Sequence, residues 1–86
     1  MRLIFDLNNE PIIELWNGDT LTVRAAAKAA RERRNISIIH LENMMGVHHP
    51  TYYLFERGTT IKPMLGIQAL YAMGYNIPFV PAELDK

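Results

Sequence analysis

From Thr22 onward the chain is cut into short pieces by residues that start and stop helices, so no long helix can form. Thr22 is an N-cap, and residues 23–34 have high helix propensity throughout. Val23, Ala26 or Ala27, and Ala30 give this first piece a narrow stripe of small apolar residues, which permits close helix contact. Asn35, which tolerates left-handed backbone, ends it. Ser37 caps a second piece, residues 38–45, and Gly46 stops it. After the connector Val47 a third helix is expected from residue 49 or 50 to residue 57, with Pro50 in its first turn and Gly58 at its end. Thr59 or Thr60 then caps a fourth helix, with Lys62 and Pro63 in its first turn and Gly74 at its stop. Residues 75–86, with Pro78 and Pro81, read as an extended tail.

The first 22 residues follow another period. Leu3, Phe5 and Leu7 alternate with Arg2 and Asp6, as a half-buried strand requires. Asn8-Asn9-Glu10-Pro11 is a turn cluster, and residues 12–16 form a second β-rich run. Asn17-Gly18 is a strong hairpin signal, because both residues tolerate positive φ. Residues 20–23 make a third short strand. A meander of two or three strands is marginal alone, so it must pack on the helices or on a second chain. Its edges invite pairing across a dimer.

At 86 residues the chain is one domain, and such a chain buries only about 60% of its unfolded surface. It has no cysteine, so packing alone must hold it. No apolar run approaches the roughly 20 residues of a membrane span. Asp6 interrupts the apolar N-terminus where a signal peptide would continue. The expected location is the cytoplasm, with no membrane partner.

The formal net charge is zero, but it is unevenly spread. Residues 1–21 carry −3, residues 22–74 carry +4, and residues 75–86 carry −1. A polyanion feels the local potential of the basic middle rather than the total.

Catalytic and metal chemistry find little footing. The single serine, Ser37, is best used as a cap, and the acids Asp6, Glu10, Glu14 and Asp19 are spread through the strands. His40, His48 and His49 have no carboxylate at ligand spacing in the sequence, and adjacent histidines on a helix diverge. The expectation is no enzyme, no metal and no cofactor. Gly66 sits inside the fourth helix, where it costs about 1 kcal/mol against alanine. Close approach of another helix, within the chain or across a dimer, explains it. Met64, Ile67, Leu70 and Tyr71 read as core or interface, and Ile38, Ile39, Met44 and Met45 as packed under the meander or as a partner-binding patch.

The residues Ser37, Leu41, Gly46-Val47, Thr51, Phe55, Glu56-Arg57-Gly58 and Ala72-Met73-Gly74 resemble the pattern of the lambda-repressor/Cro-type helix-turn-helix family, often called XRE. The resemblance covers roughly residues 23–77, and the Gly46–Gly58 spacing matches without insertion. It implies a mainly α, Cro/lambda-repressor-like bundle of four to five short helices over residues 23–77. An N-terminal β-hairpin or meander (1–22) precedes the bundle and a tail (78–86) follows. Leu41, Val47, Tyr52 and Phe55 would point inward and fix the third helix against the second. The sequence departs from the pattern at Ile38, where the family often has Gln, and at Glu42, where it prefers Ala. A glutamate at that place must tilt outward or find a partner.

The resemblance further implies a DNA-binding set. His48, His49, Thr51, Tyr52 and Tyr53 lie on the stretch that would face base edges and nearby phosphates. Thr59, Thr60 and Lys62 would meet phosphate at the next helix start, with Arg33, Arg34 and Ser37 as further contacts. Glu56 and Arg57 would pair with each other or with the first helix, so Arg57 either touches DNA or closes a structural salt bridge. The implied function is a sequence-specific regulator, a repressor acting as a homodimer on a palindromic operator, of phage-regulator or antitoxin type. The alternative is a protein-interaction module on the same fold, binding a toxin or another regulator.

Overall fold

The computed structural model describes residues 1–8 and 10–77. The tail expected over residues 78–86 lies outside the described residues. Three strands, β1 (Arg2–Phe5), β2 (Pro11–Glu14) and β3 (Thr20–Thr22), precede four helices, α1 (Val23–Arg33), α2 (Ile38–Met45), α3 (Thr51–Glu56) and α4 (Pro63–Ala72). The architecture is thus mixed, a three-stranded antiparallel sheet in the order β1-β2-β3 joined to four short helices.

The register aligns Leu3 with Ile13 and Ile13 with Leu21, so one apolar row crosses the sheet. Ile13 is fully buried and Leu3 nearly so. The row belongs to the core that α1 also enters, and α1 packs against both β2 and β3. Both strand ends come earlier than alternation predicts. Asp6 Oδ1 accepts from the Asn8 and Glu10 N–H groups, which turns the chain after Phe5 and leaves Leu7 fully exposed instead of inward. The second strand stops at Glu14, and Asn17-Gly18 sits within a five-residue loop, 15–19, instead of forming a two-residue turn. Leu15 N–H donates to the Asp19 carbonyl across that loop, and Trp16 projects into solvent.

Thr22 closes β3 and opens α1. Its backbone is extended, and its hydroxyl accepts from Ala25 N–H at 3.1 Å. Val23, Ala26, Ala27 and Ala30 are all buried on α1, which packs on α4, α3, β2 and β3. The small side chains let α4 come close. At Gly66 an added Cβ would fall inside contact distance of Val23 Cγ1 and 2.9 Å from Phe55 Cζ. The close approach at Gly66 is therefore within the chain, to α1 and α3.

The stops act where their backbone chemistry allows. Asn35 adopts φ 55°, and Gly46, at φ 75°, closes α2. The fourth helix starts later than expected. Neither Thr59 nor Thr60 caps it; both donate their N–H groups to the Leu54 carbonyl and finish α3. Pro63 explains the delay. It disfavours helical backbone at the preceding residue, so Lys62 is extended (φ −137°, ψ 90°) and α4 begins at Pro63.

The apolar second helix packs chiefly against α4 and α3 instead of under the meander. Ile38 and Met45 lie against the core, whereas Ile39 and Met44 are exposed. The α4 stripe divides in the same way: Ile67 and Leu70 are buried, Met64 and Tyr71 are exposed. No helix among the described residues is long and apolar enough to cross a membrane.

Candidate nucleic-acid interface

The second helix begins at a Ser37 cap, its hydroxyl accepting from His40 N–H at 3.1 Å. The third helix has no such start. The residue before it is Pro50, which provides no side-chain cap. The first turn of any helix leaves N–H groups without partners. Here Glu42, on α2, supplies the missing acceptor. Its Oε2 accepts from Tyr52 N–H at 2.9 Å and Tyr53 N–H at 3.1 Å, and its Oε1 lies 2.8 Å from His49 Nδ1. Glu42 is 1% exposed. The acid that must tilt outward or find a partner has found three donors, and its charge sits at the positive end of a helix.

The far end of α3 is held by a second buried carboxylate. Glu56 accepts from Arg31 of α1 through both oxygens, at 2.9 and 2.6 Å. Arg31 also donates to the Ile36 carbonyl at 2.9 Å, so it ties the end of α3 to the α1–α2 connection. The Glu56 hydrogen bonds push the Arg31 guanidinium above its ordinary range. Tyr52 stands beside this pair. Its side chain is fully buried, and its hydroxyl finds no hydrogen-bond partner among the described residues. Burial, then the nearby Glu56 charge, pushes its phenol above the ordinary tyrosine range. Tyr52 therefore leaves the DNA-facing set. It occupies the inward position that the spacing with Leu41 and Phe55 also suggested, and Leu41 and Phe55 are buried with it.

Held at both ends from beneath, α3 presents the row His49, Tyr53 and Arg57. The His49 and Tyr53 rings lie 5.9 Å apart between centroids. The Arg57 guanidinium sits 5.4 Å from the Tyr53 ring centroid and donates to the Tyr53 hydroxyl at 2.6 Å. The sequence left Arg57 with two roles; the structural pair is made by Glu56 with Arg31, and Arg57 stays exposed. His48 is exposed beside the row, and Thr51 is half-buried.

The remaining expected residues divide. Thr60 and Lys62 line, with Arg24, a cleft of about 320 Å³ whose other walls include Asp6 and Glu10. Thr59 is exposed next to Thr60. Arg33 and Arg34 lie elsewhere, at the end of the α1–α4 pair remote from Val23 and Gly66. The Arg34 guanidinium lies over the Tyr75 ring, 4.7 Å from its centroid. Among the described residues neither arginine hydrogen-bonds to α3.

Burial also changes the charge that faces solvent. Of the three acids in residues 22–74, Glu42 and Glu56 are drawn inward, and only Glu32 is exposed. Arg24, Lys28, Arg33, Arg34, Arg57 and Lys62 are all exposed, against that single acid.

The partners that Glu42 finds, His49 and the start of α3, are what the sequence does not show. No carboxylate stands at ligand spacing from the histidines in the sequence, yet the α2–α3 turn brings Glu42 to His49. The signal in the sequence is a glutamate shortly before a helix that has no capping side chain of its own. Among the described residues no three His, Cys, Asp or Glu side chains gather as a metal-binding group. No protein-family model matches this chain, and neither does any curated protein or solved structure.

Proposed function

We propose that this chain is a sequence-specific DNA-binding regulator, built on a Cro/lambda-repressor-like helix-turn-helix, with α3 as the helix that enters the major groove. The observation that carries the reading is the His49–Tyr53–Arg57 row. It is a polar and aromatic face, exposed at His49 and Arg57 and half-buried at Tyr53, along a short helix whose two ends are fixed from behind by Glu42 and Glu56. A helix held in this way can present side chains to base edges without ordering itself on contact. Histidine and arginine offer hydrogen bonds to bases or phosphates, and the tyrosine ring suits a thymine methyl. The excess of exposed base over exposed acid in residues 22–74 supports attraction to a phosphate backbone.

In this reading the chain acts as a repressor and a homodimer, its two α3 helices in successive major grooves about 34 Å apart on a palindromic operator. Phage regulators and antitoxins both fit that role. The test is a mobility shift on duplex DNA over a salt series. A steep loss of affinity with salt, together with discrimination between duplexes, supports the reading. Absence of any shift at low salt contradicts it.

One observation favours a second reading, a protein-interaction module on the same fold. Ile39 (58% exposed) and Met44 (41%) share an open groove on α2 with Ser37, His40 and Asn43. A partner recovered in stoichiometric amount, with no DNA shift in parallel, would select this alternative.

A further inference from the structure

His49 touches Glu42 through one ring nitrogen only, Nδ1, and its side chain is 55% exposed. The Glu42 oxygen facing it is Oε1, because Oε2 is occupied by the N–H groups of Tyr52 and Tyr53. A carboxylate only accepts hydrogen bonds, so Nδ1 must carry the hydrogen. A neutral imidazole has one hydrogen to place, and the partner of one nitrogen decides the state of the other. Nε2, on the far side of the ring from Glu42, is then an acceptor.

We propose that Glu42 determines which bases His49 reads: by committing the Nδ1 hydrogen it makes Nε2 of this half-exposed ring an acceptor, suited to the exocyclic amine of adenine or cytosine in the major groove. The inference rests on the DNA-binding reading and deepens it. In the major groove adenine offers N6 and cytosine N4 as donors, whereas guanine and thymine present acceptors at the corresponding places. Glu42 is a positioning residue here. It does not reach the base; it sets the hydrogen-bonding sense of the residue that does.

The same geometry predicts an inversion. In Glu42→Gln the two backbone N–H groups of α3 demand an oxygen, so the amide oxygen takes the place of Oε2. The amide NH₂ then occupies the place of Oε1 and donates to His49 Nδ1. The imidazole hydrogen moves to Nε2, which becomes a donor and prefers guanine or thymine. A purely structural role for Glu42 would weaken binding without changing the preferred base.

The experiment has two arms. Long-range ¹H–¹⁵N spectra of histidine-labelled protein at pH 8.5, without DNA, identify which nitrogen of each ring carries hydrogen. His49 is assigned by loss of its signals in His49→Gln. Wild type is expected to show His49 with hydrogen on Nδ1, and Glu42→Gln with hydrogen on Nε2. Hydrogen on Nε2 in wild type would overturn the inference without needing any variant to fold. In the second arm, sites selected from random duplexes at the same pH 8.5, where the ring is neutral, by wild type and by Glu42→Gln are compared. The expected result is a change of about tenfold, from amine-bearing to carbonyl-bearing bases, at one position per half-site. An unchanged preference at every position would overturn the inference while leaving DNA binding intact. No enriched site for wild type would overturn the DNA reading and this base assignment together, whatever tautomer the spectra show.

Discussion

The Glu42 carboxylate accepts a hydrogen bond from the Tyr52 backbone N–H at 2.9 Å, so α2 caps α3 from ten residues upstream. The cap that most helices draw from the residue at their own start here comes from the neighbouring helix. Capping and the fixing of the inter-helix angle are therefore one interaction. Glu42→Ala removes the acceptor for three donors at once. It is expected to lower stability by about 2–3 kcal/mol, the range for hydrogen bonds to a charged group. The Tyr52 and Tyr53 amides should also exchange faster with solvent. Ser37→Ala, which removes an ordinary cap, is expected to cost about 1 kcal/mol. Urea denaturation of the two variants side by side checks the order.

The Arg31–Glu56 pair is largely buried, with side chains 15% and 6% exposed. Removing one partner of such a pair strands the other charge, at about 3–5 kcal/mol. Glu56→Leu and Arg31→Met should each destabilise strongly, whereas the two together should recover most of the loss. A double-mutant cycle measures this. Additive losses in the double variant would show that the two side chains do not act as a pair.

Gly66→Ala is favoured by helix propensity by about 1 kcal/mol, but its Cβ would meet Val23 and Phe55. Neither neighbour is backbone, yet both are buried and closely packed. The expected result is a net loss of about 1–2 kcal/mol by thermal or urea denaturation. Val23→Ala, made together with it, should return part of that loss.

Tyr52 holds its proton more tightly folded than unfolded, because burial raises its phenol above the ordinary range. The stability it contributes is complete below about pH 10, the unfolded value, and falls as the pH rises above it. Its tyrosinate absorbance is expected to appear only together with unfolding. Tyr52→Phe removes a buried hydroxyl that lacks a hydrogen-bond partner among the described residues. It should leave stability at neutral pH unchanged or higher by up to about 1 kcal/mol. A loss above that would mean the hydroxyl makes a favourable contact with the Arg31–Glu56 pair.

The helices were legible in the sequence because their limits are set locally. Thr22, Ser37, Asn35 and Gly46 each need only their own backbone and a neighbour within three or four residues to act. The strands end earlier than the alternation to Leu7 and the β-rich run to Trp16 suggest, because Asp6 Oδ1 turns the chain before Leu7 and the loop 15–19 closes on itself from Leu15 to Asp19. The Thr59/Thr60 cap failed for a similar reason: Pro63 constrains the residue before it, and that outweighs a nearby threonine. The site was half legible. His48 and His49 are exposed as expected, with Thr51 and Tyr53 half-buried, but the burial of Tyr52 and the capping by Glu42 depend on how α2 meets α3. A single sequence records that meeting only as two local oddities, an acid in place of a small residue and a helix without a cap.

If α3 reads DNA, its row of side chains and Lys62, at the start of α4, should differ in kind. Tyr53→Ala and Arg57→Ala are expected to relax base preference near the centre of each half-site. Lys62→Ala should weaken binding to all sequences about equally and reduce the salt dependence by about one phosphate contact. A change of base preference in the lysine variant, with none in the other two, would place the reading surface elsewhere.

The most direct measurement is selection of binding sites from random duplexes by the wild-type chain, at a low and a moderate salt concentration. The account predicts an enriched, two-fold symmetric site with half-sites about one helical turn apart, bound more weakly at the higher salt. Recovery of unenriched sequence at both concentrations would contradict it.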